Sequence, residues 1–167
     1  HSYTNSSFFV LSSCIFIERI KNAGREHKEG TICVGMIFLP RNDYTSQEKC
    51  KTIIENELLN KNYYVYRWRQ VPVNTKVLGI KAENNRPEIV QVIFKSNIKD
   101  LEGDDLERDL YVVRKKIEKQ STLLKLKEFY IASFSSRSII YKGMFLAEAL
   151  SEFYPDLLDK RFVSRFA

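Results

Sequence analysis

The run TICVGMIFLP is apolar almost without a break between Gly30 and Pro40. A strand with one wet face alternates apolar and polar residues, whereas an unbroken run of this length fits a strand covered on both faces. A chain that contains such a strand must supply packing on each side of it. The rest of the sequence can therefore be read for elements able to form those layers.

The helices are patterned for that task. TSQEKCKTIIENELLNKN puts Cys50, Ile53, Ile54 and Leu58 on one face, and Thr45 with Glu48 has the form of a capping box. EGDDLERDLYVVRKKIEKQS repeats Leu106, Leu110, Val113 and Ile117 at helical spacing, with acids expected in its first turn and bases in its last. MFLAEALSEFYPD is expected to be a helix with Leu146, Leu150 and Phe153 inward, stopped by Pro155. CIFIERIKN reads as a short amphipathic helix ended by Gly24.

The strands follow from shorter patterns. SFFVLSS and EIVQVIFKS are strand-like, and YYVYRWRQVPVN alternates. Strict alternation would place Tyr64, Tyr66 and Trp68 on one face and Val65, Arg67 and Arg69 on the other. TKVLGIKAENNRP is turn-rich. KEFYIASFSS and RSIIYKG are expected to form a hairpin across a serine-rich turn, with Gly143 releasing the chain into the next helix. Strands and helices mix without strict βαβ order, which predicts an α+β fold with helices stacked on mainly antiparallel sheets. The length of 167 residues suits a single domain over 1–167.

Composition excludes several functions. The net charge of +6 invites a nucleic-acid partner, but the bases are scattered among acidic stretches, so none is expected. No apolar run approaches the roughly 20 residues of a membrane-spanning helix. HSYTNSSFFV lacks the basic and apolar regions of a signal peptide. Cys14, Cys33 and Cys50 are widely spaced in a chain with two histidines, His1 and His27. Buried thiols in a reducing compartment are the expected state, and no zinc site or Cys–His pair is expected.

The stretch FYIASFSSRSIIYKGMFLAE is the strongest candidate for chemistry. A catalytic elbow needs glycines around its serine and a histidine base, and IASFSSRSI offers neither. Ser133, Ser135, Ser136 and Ser138 are therefore expected to satisfy backbone donors in a turn. The acids of EGDDLERD open a helix, where acids belong. No glycine-rich phosphate loop occurs. Trp68 between two arginines is read as a core aromatic rather than a stacking platform. Arg137 remains as a residue that could brace a neighbouring loop.

Six stretches, VGMIFLPRN, YYVYRWRQVPVN, RPEIVQVIF, LERDLYVVRKKIEK, FYIASFSSRSIIYKGMFLAE and FYPDLLDKRFVSRFA, occur in an order and spacing that carry a family likeness. From about Gly30 to Ala167 the chain resembles the amino-terminal glutamine amidotransferase domain of the large chain of glutamate synthases. The resemblance implies a class II amidotransferase with an Ntn-hydrolase αββα sandwich. It implies an amino-terminal cysteine nucleophile, its own α-amine as base, and ammonia passed on for glutamate formation from 2-oxoglutarate. It implies FMN and an iron–sulfur cluster in the parent enzyme, none of them in this chain.

Residue one here is His1, and the three cysteines are internal. The family's His-x-Arg-aromatic-Ser-Thr-Asn motif would follow a DLLDKRF-like stretch, and its Asn-Gly-Glu motif later still. The chain is thus expected to be an internal, inactive piece of the domain, with no catalytic or glutamine-binding residue and Arg137 as structural support. Its expected partners are the remainder of the polypeptide and, through an exposed sheet edge, another copy. A reducing intracellular compartment, the cytoplasm or the stroma of a plastid or other organelle, would suit it. The competing expectation is a non-catalytic amidotransferase-like interaction module.

Overall fold

A computed structural model describes residues 6–11, 32–144 and 148–159 of the chain. The elements expected around CIFIERIKN and Gly24, along with Cys14 and Leu146, lie outside them. The strands are β1 (Ser6–Leu11), β2 (Ile32–Leu39), β3 (Tyr63–Gln70), β4 (Glu88–Ser96), β5 (Tyr130–Ser135) and β6 (Ile139–Met144). The helices are α1 (Tyr44–Asn60), α2 (Ile80–Asn85), α3 (Gly103–Leu123) and α4 (Ala149–Phe153), with 3-10 turns at Thr75–Val77 and Pro155–Leu158. All strand pairs are antiparallel, in a four-stranded sheet ordered β3-β4-β2-β5 and a two-stranded sheet of β1 and β6. The fold is α+β with antiparallel sheets, as expected.

The apolar run forms β2, a central strand with both faces covered. Cys33 and Ile37 face a core shared with Ile53, Ile54 and Leu58 of α1 and Leu106, Leu110, Val113 and Ile117 of α3. Ile32, Val34 and Met36 face a second core with Ile139 and Tyr141 of β6 and Leu150 and Phe153 of α4. A helix layer thus lies on one side of the large sheet, and β6 with α4 on the other.

Five local expectations are corrected. First, β3 does not alternate. The pairing jumps from Val65↔Phe94 to Arg67↔Ile93, so Tyr66 is an extra, bulged residue. The bulge puts Val65 and Trp68 on the helix-side core and Tyr66 on the other. Second, α1 begins a residue before the expected capping box, so Thr45 lies inside the first turn. The cap is Asp43, which accepts from Ser46 N at 3.0 Å and Ser46 Oγ at 2.6 Å. Glu48 pairs with Lys51 instead.

Third, α3 runs on to Leu123 and carries no base in its last turn, although Asp104 and Asp105 do fill the first. Fourth, the turn-rich stretch after β3 contains the Thr75–Val77 turn and α2. Fifth, β5 and β6 do not pair. β5 joins β2 in the large sheet and β6 joins β1 in the small one. Gly143 does not release the chain into a helix; it lies within β6, opposite Ser7. The described part of the last helix is only Ala149–Phe153, and Pro155 opens a 3-10 turn.

Candidate functional site

Residues 135–139 turn the chain from the large sheet to the small one, so the serine-rich stretch is a corner rather than a hairpin. Two of the four serines accept from backbone donors in the way a polar turn requires. Ser133 Oγ accepts from Ile140 N at 3.1 Å, and Ser135 Oγ accepts from Arg137 N at 3.0 Å and Ser138 N at 3.2 Å. Hydroxyls thereby satisfy backbone donors that a hairpin ladder would have paired. Ser133, Ser135 and Ser136 are buried, so the corner is not open to a substrate.

Helix α3 fastens the corner. Ser136 donates to Glu107 Oε1 from both its backbone N, at 2.8 Å, and its hydroxyl, at 2.7 Å. Arg137 Nη2 reaches Asp104 Oδ1 at 2.6 Å. Arg137 thus reaches the first turn of α3. Its side chain is 54% exposed and that of Asp104 74%, so the pair is wet and weak beside the buried serine bonds. Of the other acids of EGDDLERD, Asp105 pairs with Arg108, and Asp109 accepts from Lys61 Nζ at 3.0 Å and from the Tyr63 hydroxyl at 2.8 Å.

A second polar group lies in the core behind β6. Arg69 makes a bidentate pair with Asp156, Nη1 to Oδ2 at 2.7 Å and Nη2 to Oδ1 at 2.6 Å. Arg69 Nη1 also donates to Gln91 Oε1 at 2.9 Å. Tyr141 donates its hydroxyl to Asp156 Oδ2 at 2.9 Å and accepts from Gln91 Nε2 at 3.2 Å. Burial opposes the Arg69 charge, but the Asp156 carboxylate outweighs it and holds the guanidinium above its ordinary value. Burial, with Asp156 adding to it, pushes the Tyr141 hydroxyl up, so it stays protonated as a donor.

Sequence reading did not assemble this cluster. Gln91 on a buried strand and Asp156 behind Pro155 were the available signals, but Arg69 and Asp156 are 87 residues apart. Trp68 is the half-buried core aromatic expected, with its Nε1 donating to Glu55 Oε1 at 2.6 Å.

The described thiols are poor nucleophiles. Burial, with a further contribution from Glu107, pushes the Cys33 thiol far up. Burial, with Asp43 adding to it, pushes the Cys50 thiol up to about 11. Both sit within the helix-side core. A thiol must ionise to attack, so neither is poised to do so. Among the described residues no three His, Cys, Asp or Glu side chains converge on a metal position. An iron–sulfur cluster would need several thiolates together, and the described residues do not fit one.

A family model for class-II glutamine amidotransferases matches residues 9–167. The NADPH glutamate synthase large chain of Azospirillum brasilense is 49% identical over 152 residues, covering 91% of this chain and 10% of that protein. A ferredoxin-dependent glutamate synthase 2 of Synechocystis is 40% identical over 134 residues, 80% of this chain and 8% of that protein. The chloroplastic ferredoxin-dependent glutamate synthase of Spinacia oleracea is 42% identical over 135 residues, again 80% of this chain and 8% of its own length. The chain spans a tenth or less of the length of these relatives.

Proposed function

Because the chain belongs to the class-II glutamine amidotransferases, we propose that it forms the scaffold of the amidotransferase domain of a glutamate synthase. Residues 1–167 belong to one such domain. The whole enzyme frees ammonia from the side-chain amide of glutamine and passes it on for glutamate formation from 2-oxoglutarate. The observation that carries this reading is the family match over 9–167, together with 49% identity to a glutamate synthase.

Residues 1–167 alone do not perform the glutamine step. Amide hydrolysis of this class needs an exposed thiolate beside a base. Among the described residues, the thiols are those of Cys33 and Cys50, both protonated inside a core. Arg137 acts as a brace between the corner and α3, not as a ligand to glutamine. FMN and the iron–sulfur cluster of the parent enzyme are held by other parts of the polypeptide. A chloroplast stroma or a bacterial cytoplasm would keep the buried thiols reduced, and none of the described helices is long and apolar enough to cross a membrane.

The test pairs the full-length parent enzyme with the isolated 1–167 polypeptide, each incubated with glutamine under an ammonia readout. The parent is expected to release ammonia and the isolated piece none. Turnover by the isolated piece that thiol alkylation abolishes would refute the scaffold role. A parent with no glutamine turnover would refute the assignment to this activity.

A further inference from the structure

The seam between α1 and α3 has an apolar and cationic outer side. A shallow groove of about 580 Å³ lies there, its lining including Tyr44, Lys49, Ile53 and Leu124 together with Glu48, whose carboxylate pairs with Lys51. Tyr44 is 79% exposed, Leu123 70% and Leu124 59%. Gln120 of α3 donates to Glu57 of α1, and Lys116 and Leu123 lie one turn to either side of Gln120 along the helix. Clustered large apolar groups with a polar rim mark a surface that meets a partner.

The charge says what kind of partner. Lys51 and Lys115 have carboxylate partners at Glu48 and Glu118. Lys49, Lys116 and Lys119 have no ion-pair partner among the described residues. A second copy docked symmetrically would set lysine against lysine, which is repulsive. An acidic segment with apolar anchors matches both features. Relatives are about ten times longer than this chain, so the same polypeptide has ample length to supply it.

We infer that the outer α1–α3 seam docks an acidic, apolar-anchored segment of the same polypeptide, from outside residues 1–167. The apolar groups would hold the segment and the three lysines would fix its register. This inference rests on the reading of the chain as part of a longer glutamate synthase.

Zero-length carbodiimide coupling on the full-length protein tests it, with peptide mapping of lysine-to-carboxylate links. The expected result is Lys49, Lys116 or Lys119 joined to Asp or Glu beyond residues 1–167. Mixing light and isotope-labelled protein should show the links to be within one chain. The Leu123→Asp/Leu124→Asp variant keeps all three lysines at exposed positions, and its link yield should fall about tenfold, the effect of about 1.4 kcal/mol in docking. Links only within 1–167, links between copies, or an undiminished yield in the folded variant would each overturn the inference. A parent polypeptide no longer than this chain would instead overturn the reading on which it rests.

Discussion

Gly35 shows how one residue can be fixed by packing that the sequence does not display. It sits in the middle of β2, between Val92 of β4 and Phe134 of β5. A Cβ there would lie 2.7 Å from Val92 Cγ1 and from Phe134 Cδ2. Those neighbours are themselves buried and cannot swing away. Gly35→Ala is therefore expected to cost about 3 kcal/mol, the upper end of typical core overpacking. Urea denaturation monitored by Trp68 fluorescence would measure it. The burial of Ile53, Leu106 or Ile117 could be read from helical spacing, because spacing is local. The need for glycine at position 35 could not, because it depends on strands far along the chain.

At the scale of elements, the ends and irregularities proved less legible than the elements themselves. Both long helices and β2 follow from periodicity and length. The bulge at Tyr66 does not, since a single inserted residue leaves the composition of a strand unchanged, yet it decides which core Trp68 enters. The corner at Ser135–Ile139 has the sequence pattern of a hairpin for a related reason. A short polar link between two strands fits either, and only the partners β2 and β1 distinguish them. Thr45 with Glu48 satisfies the capping-box spacing, but the cap of α1 lies two residues earlier, at Asp43, whose carboxylate is the stronger acceptor. Hydrogen bonds from Ser46, side chain first and then backbone, hold the Asp43 carboxyl below its ordinary value. A lowered folded value means that the charge stabilises above the unfolded pKa, about 3.9, and that this contribution is lost as pH falls through the folded value. Asp43→Asn keeps a capping side chain without the charge. Wild type is expected to exceed it in stability at neutral pH, and the two curves should converge in acid. Denaturant titrations across that range would show whether they do.

At the scale of the whole molecule, the fold is held by contacts between segments remote in sequence. The α+β class, the helix layer and the two-sided β2 could be reasoned out, because each element must bury an apolar face. How the C-terminal part returns to the sheets could not, because it depends on Asp156. That residue closes a cluster drawn from β3, β4 and β6, with Arg69 side chain 15% exposed and Asp156 11%. Removing one partner from such a pair leaves a buried charge without compensation. Asp156→Ala is thus expected to cost about 3–5 kcal/mol. Arg69→Met should cost a similar amount, since it leaves the Asp156 carboxylate facing only Tyr141. The double variant, with neither charge, should be less destabilised than the sum of the two singles, because no lone charge remains. Hydrogen exchange adds a local readout: in Asp156→Ala, the amides of Leu157 and Asp159, bonded to Tyr154 O and Asp156 O, should lose protection before those of β2. If the single variants were additive, or if those amides kept their protection, Asp156 would not be the tie between the Pro155–Leu158 turn and the sheets.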